Sequence, residues 1–140
     1  MRPSLFSRKV FMPFTLTYLL WSAALAFAYL IAQATAFRMQ TGVQAANSTR
    51  DSEPEPNLLT GRATRALRNF QETYPIFIAL SVVAIFTGHS AALLSWGIGL
   101  WFWARVAYLP AYLMGLSPYR SWIWTVSLIG LVLMFVSLVW

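Results

Sequence analysis

The chain has 140 residues, of which 59% are hydrophobic and only 10% charged, and its mean hydropathy is +0.60. That is more apolar surface than a soluble core of this size can hide, so the composition predicts one membrane-embedded domain. The net charge of +6 sits at the ends of apolar segments rather than on one soluble face, which argues against nucleic acid, and the absence of cysteine excludes disulfides, thiolate metal sites and a protein-borne sulfur nucleophile.

Residues 11–32 are almost continuously apolar. At about 1.5 Å per residue they cross the roughly 30 Å of bilayer hydrocarbon, and the run is too long for a signal-peptide core, so it reads as a retained first span. Arg2, Arg8 and Lys9 before it read as juxtamembrane anchors. Residues 33–60 are polar and include Asp51, Glu53 and Glu55, three of the four acidic residues, which predicts a long solvated loop.

Thr60 is the expected N-cap of the next helix, whose buried part forms a span over residues 70–87. Pro75 inside it frees the Gln71 carbonyl and predicts a kink near the membrane boundary. Gly88, His89 and Ser90 make a tight turn, with His89 expected in solvent. The third span, 91–113, carries Trp96, Trp101 and Trp103 as packing and interfacial residues and one full charge, Arg105. After a short turn, residues 121–140 form the fourth span, edged by Trp122, Trp124 and Trp140. The architecture expected is all-α: an integral-membrane bundle of four antiparallel helices with one long and two short connections. The basic residues Arg38, Arg50, Arg62, Arg65, Arg68 and Arg120 put the long-loop side in the cytoplasm.

Polar residues entering the hydrocarbon carry the functional signal. Arg65, Asn69 and Glu72 recur at i, i+4 and i+7 on one helix face, and Arg105, Tyr108 and Tyr112 at i, i+3 and i+7 on another. Arg105 lies about 12 Å from the Leu113 end of its helix, deep enough to demand a partner, and Glu72 is the carboxylate that enters from the same side. These residues predict a cationic pocket of guanidinium, amide and phenol groups at the bilayer edge. It suits an anionic, peptide-like ligand used together with an apolar co-substrate dissolved in the bilayer. A bland reading stands beside it, with Arg62, Arg65 and Arg68 as snorkelling anchors and Glu72 as an internal counter-ion. No glycine-rich phosphate loop, no metal-ligand spacing and no Ser-His-Asp set is present, so no metal is expected.

The segment Arg65-Ala-Leu-Arg-Asn-Phe-Gln-Glu-Thr-Tyr-Pro-Ile-Phe77 resembles the signature of the MAPEG superfamily, membrane-associated proteins of eicosanoid and glutathione metabolism. Its Arg-Asn-x-x-Glu-Thr run is most similar to the prostaglandin E synthase branch. Trp103-Ala-Arg-Val-Ala-Tyr-Leu-Pro-Ala-Tyr112, followed by Pro118-Tyr-Arg-Ser121, resembles the family's third helix and the turn after it. The short bacterial-type members are the nearest likeness. The resemblance implies a homotrimer in a bacterial inner membrane that binds glutathione between protomers as co-substrate. It implies that Arg38, Arg65, Arg68, Asn69, Glu72, Tyr108, Tyr112 and Ser121 contact glutathione, and that Arg120 holds its sulfur as thiolate. Arg105 is left as a structural intramembrane charge. Between Tyr112 and Arg120 the chain is one residue shorter than the prostaglandin synthase pattern. The activity implied is that of a glutathione transferase or peroxidase on lipophilic electrophiles or lipid hydroperoxides. The rival from another class is a non-catalytic membrane protein whose polar cluster is a trimer core or an anionic-lipid site.

Overall fold

A computed structural model describes residues 12–46 and 54–140. They form four helices, α1 (Phe14–Ala46), α2 (Leu58–Thr87), α3 (Ala92–Leu113) and α4 (Tyr119–Val139), each long and apolar enough to cross a membrane. The anchors Arg2, Arg8 and Lys9, and with them Arg50, Asp51 and Glu53, lie outside the described residues.

Contacts between helices run in opposite sequence order, which is the mark of antiparallel packing. Between α1 and α2, the Ser22 hydroxyl meets the Tyr74 hydroxyl, the Tyr29 ring stacks on Phe70, and Thr60 donates to the Ala36 carbonyl. Between α2 and α3, Phe77 meets Trp101 and Thr73 meets Arg105. Between α3 and α4 the backbones close in at Gly97 and Gly130. A Cβ on either glycine would lie 2.7 Å from the other's carbonyl oxygen, so only hydrogen fits there. The result is an up-down-up-down bundle.

Its core is aromatic. Trp101 is fully buried and stacks on Phe77 at a centroid distance of 3.8 Å and 9°, with Tyr74 and Phe70 each at 6.0 Å. Trp96 and Trp103, on the same helix, face outward and are 70% and 60% exposed, where bilayer lipid would cover them. Three tryptophans with one sequence reading thus divide into one core and two surface residues.

The expected loop over 33–60 is corrected. α1 continues to Ala46, with a break in helical geometry at Gly42 (φ 78°), and α2 begins at Leu58. Polarity marks where the chain leaves the hydrocarbon, whereas Gln, Ala, Met and Arg all sustain a helix in water. The extension also has tertiary partners. Gln40 donates to the Glu55 carbonyl at 2.7 Å and accepts from the Asn57 N–H at 2.9 Å, fixing the entry to α2. Asn57, not Thr60, caps α2 by accepting from the Thr60 N–H at 2.8 Å; Thr60 lies inside the helix, which begins at Leu58, and its hydroxyl donates to α1. α2 then runs through Pro75 as one helix to an αL cap at Gly88.

Candidate functional site

The polar residues of α2 begin one turn inside the helix. Ala63, Ala66 and Phe70 face the bundle and are buried, which turns Arg65, Arg68 and Glu72 to the open side and leaves Asn69 between the two. On α3, Tyr108 and Tyr112 stand one turn apart with ring centroids at 5.4 Å. The α3–α4 turn then brings Arg120 back onto the same stripe, its guanidinium 4.9 Å from the Tyr112 ring centroid.

Together these side chains enclose a cleft with two lobes. One, of about 200 Å³, is lined by Arg65, Arg68, Asn69, Glu72, Tyr108 and Tyr112. The other, of about 350 Å³, is lined by Asn69, Tyr108, Tyr112, Arg120, Ser121, Trp124 and Thr125. Asn69 and the two tyrosines line both, so the lobes adjoin. Every residue singled out in the sequence as contacting the ligand lines this cleft except Arg38, which is exposed on α1 and lines neither lobe. Trp124 and Thr125 were not singled out. Their signal was the spacing of Ser121, Trp124 and Thr125 at i, i+3 and i+4, one face of the first turns of α4.

Arg105 lies behind the cleft with no exposed surface. The expected partner, Glu72, is not the group that holds it. Arg105 Nη1 donates to Asn69 Oδ1 at 2.7 Å and Nη2 to Thr73 Oγ1 at 2.8 Å, and its guanidinium lies 5.3 Å from the Tyr108 ring centroid. The reason is angular. Asn69 and Thr73 are four apart and share the α2 stripe that faces α3, whereas Glu72 lies on the outer side of Asn69, about 60° from it and about 100° from Thr73, and is exposed. Tyr29 of α1 fixes the same spot by donating to the Arg105 carbonyl at 2.8 Å.

This arrangement has two chemical consequences. With its Oδ1 engaged, Asn69 presents its amide N–H groups to the cleft as donors. And from Arg105 through Tyr108 and Tyr112 to Arg120, guanidinium and phenol groups contact one another in series, which fixes the Arg120 head by ring contact. With Arg65, Arg68 and Arg120 at its walls, Arg105 behind and Glu72 as the one carboxylate, the cleft carries a positive field suited to an anion.

At the opposite end of the bundle, His89 is half-buried and shares a 3.0 Å hydrogen bond with the Ser137 hydroxyl, so it ties the α2–α3 turn to α4 rather than standing in solvent as expected.

The fold and the cleft define a multi-pass integral membrane protein that presents a cationic, amide- and phenol-lined site at one end of a four-helix bundle. The model of the MAPEG family matches residues 18–140, nearly the whole chain, and the protein belongs to that family. No curated protein and no solved structure matches the chain.

Proposed function

We propose that the protein is a glutathione-dependent transferase or peroxidase that uses glutathione thiolate on lipophilic electrophiles or lipid hydroperoxides. One observation carries the reading: side chains from α2, α3 and α4, far apart in the chain, line two adjoining lobes whose groups complement glutathione. Arg65 and Arg68 pair with its carboxylates, Glu72 receives its ammonium group, and Asn69, Tyr108 and Tyr112 bond its amides. Membership of a family that includes glutathione transferases and peroxidases supports the same ligand.

Arg120 is the catalytic group in this reading, with Ser121 beside it. A guanidinium next to the thiol favours the charged form and lowers a pKa that is about 8.5 in a free thiol. The thiolate then attacks an electrophilic carbon, forming a C–S bond while the leaving group departs with its electron pair. With a hydroperoxide, sulfur takes the terminal oxygen and the O–O bond breaks. The alkoxide gains a proton to become an alcohol, and a second glutathione reduces the sulfenic acid to disulfide and water. The bilayer concentrates the apolar substrate, and the protein orients and desolvates the sulfur.

A homotrimer completes the site. Arg65, Arg68 and Glu72 lie on the open side of the cleft, and a neighbouring copy both closes it and brings its own Arg38 within reach. The basic residues at this end favour a cytoplasmic site in a bacterial inner membrane.

Thermal unfolding in detergent with increasing glutathione tests binding, with protection of about 2.7 kcal/mol expected at a hundredfold excess over Kd. Arg120→Ala is expected to lower kcat about 10²-fold or more while glutathione still protects. An intact oligomer that glutathione does not protect would instead support the non-catalytic lipid-site reading.

A further inference from the structure

The arginines at the start of α2 differ in what they touch. Arg65 and Arg68 line the cleft, whereas Arg62 lines neither lobe and is half-buried. Its guanidinium reaches the corner between α3 and α4, where Nη1 donates to the Leu113 carbonyl at 3.1 Å. It also packs against Gly115, whose φ is +73° and where a Cβ would collide with the guanidinium.

The end of α3 explains this acceptor. The carbonyls of Pro110, Ala111 and Tyr112 take the N–H groups of Met114, Leu116 and Gly115, so the corner closes on itself, while the Leu113 carbonyl takes Arg62. A cation there also meets the negative end of the helix dipole. The same corner launches α4, because the Leu116 carbonyl accepts from the Arg120 N–H at 3.0 Å and the Pro118 carbonyl from the Ser121 N–H at 3.0 Å. The backbone that carries Arg120 and Ser121 is thus held next to the point where Arg62 grips.

We propose that Arg62 is a positioning residue: by clamping the α3–α4 corner to α2 it sets the distance from Arg120 to the α2 groups that hold glutathione. The inference rests on the glutathione reading above. Arg62 needs no contact with the ligand for this. α2 supplies the binding groups and α4 the thiolate-stabilising one, so the register between them decides whether the sulfur sits beside Arg120.

The test uses the full chain purified in detergent, with glutathione as the probe. Three quantities are read: glutathione affinity by calorimetry, kcat with a model electrophile, and the pH titration of the bound thiol by ultraviolet absorbance of the thiolate. Arg62→Gln is expected to keep affinity within about twofold, lower kcat on the order of tenfold, and move the thiol titration toward that of free glutathione. Arg62→Lys, which retains a donor, recovers part of both. In an Arg120→Ala background Arg62→Gln lowers kcat no further, because it acts through Arg120. Arg62→Met, which keeps an aliphatic stem but removes the donor to the Leu113 carbonyl, carries the same comparison where Arg62→Gln does not fold. A folded Arg62→Gln with wild-type kcat and thiol titration overturns the proposal, as does a full additional loss in the Arg120→Ala background. Wild-type protein that binds no glutathione overturns the functional reading, and the positioning role with it.

Discussion

Thr73→Val isolates what holds the buried charge. Valine matches threonine in shape, so the substitution opens no cavity and removes one acceptor, the hydroxyl that takes Arg105 Nη2 at 2.8 Å. Thr73 is 7% exposed and Arg105 0%, so the lost acceptor is a buried one. Arg105 Nε already lacks a partner, which leaves the guanidinium with Asn69 as its remaining side-chain hydrogen-bond acceptor. A hydrogen bond to a charged group contributes about 1.5–3 kcal/mol, and a buried charge deprived of its acceptor falls in the upper part of that range. Reversible unfolding of the purified protein in mixed micelles is expected to show a loss of about 2–3 kcal/mol for Thr73→Val. Thr87→Val serves as control: its hydroxyl bonds only its own helix at an exposed end, and it should stay within about 0.5 kcal/mol of wild type. If Thr73→Val and Thr87→Val were equally stable, Arg105 would have another acceptor and the angular argument against Glu72 would be wrong.

The same geometry makes Glu72→Gln nearly silent in that assay, within about 1 kcal/mol because Glu72 is exposed, while glutathione protection weakens. Gly130→Ala forces a Cβ to within 2.7 Å of both the Gly97 carbonyl oxygen and the Trp101 amide nitrogen, so α3 and α4 must separate. The cost expected is about 1–3 kcal/mol in the unfolding titration, and an unchanged midpoint would deny the close approach. Gln40→Ala removes both bonds to the entry of α2. Amide hydrogen exchange is expected to speed up over the first turn of α2 and the last turns of α1, and to remain unchanged in α3.

How much of this could be read in advance differs between elements. The four spans were legible because hydropathy summed over about twenty residues is a local property, and Gly88 and Gly115 sit where helices must stop. The ends of α1 and α2 were not, because the loss of hydropathy after Ala32 marks the membrane surface while the helix is carried on by contacts from Gln40 and Thr60 that link distant residues. In the cleft, the α2 and α3 stripes were legible as helical spacings, and the family pattern pointed to Arg120 and Ser121. Trp124 and Thr125 were missed because an aromatic and a hydroxyl residue at an expected membrane interface have an ordinary interfacial role to fill.

By itself the sequence determined that this is a four-helix membrane protein with cationic polar faces on its second and third helices, because composition and helical period depend only on the order of residues along the chain. Tertiary structure decided which of those groups meet. The rotation of α2 against α3 gave Arg105 to Asn69 and Thr73 instead of Glu72, and the path of the α3–α4 corner put Arg62 on the backbone and Arg120 over the cleft. Those outcomes depend on the azimuth and register of packed helices, set by side-chain fit as tight as that between Gly97 and Gly130.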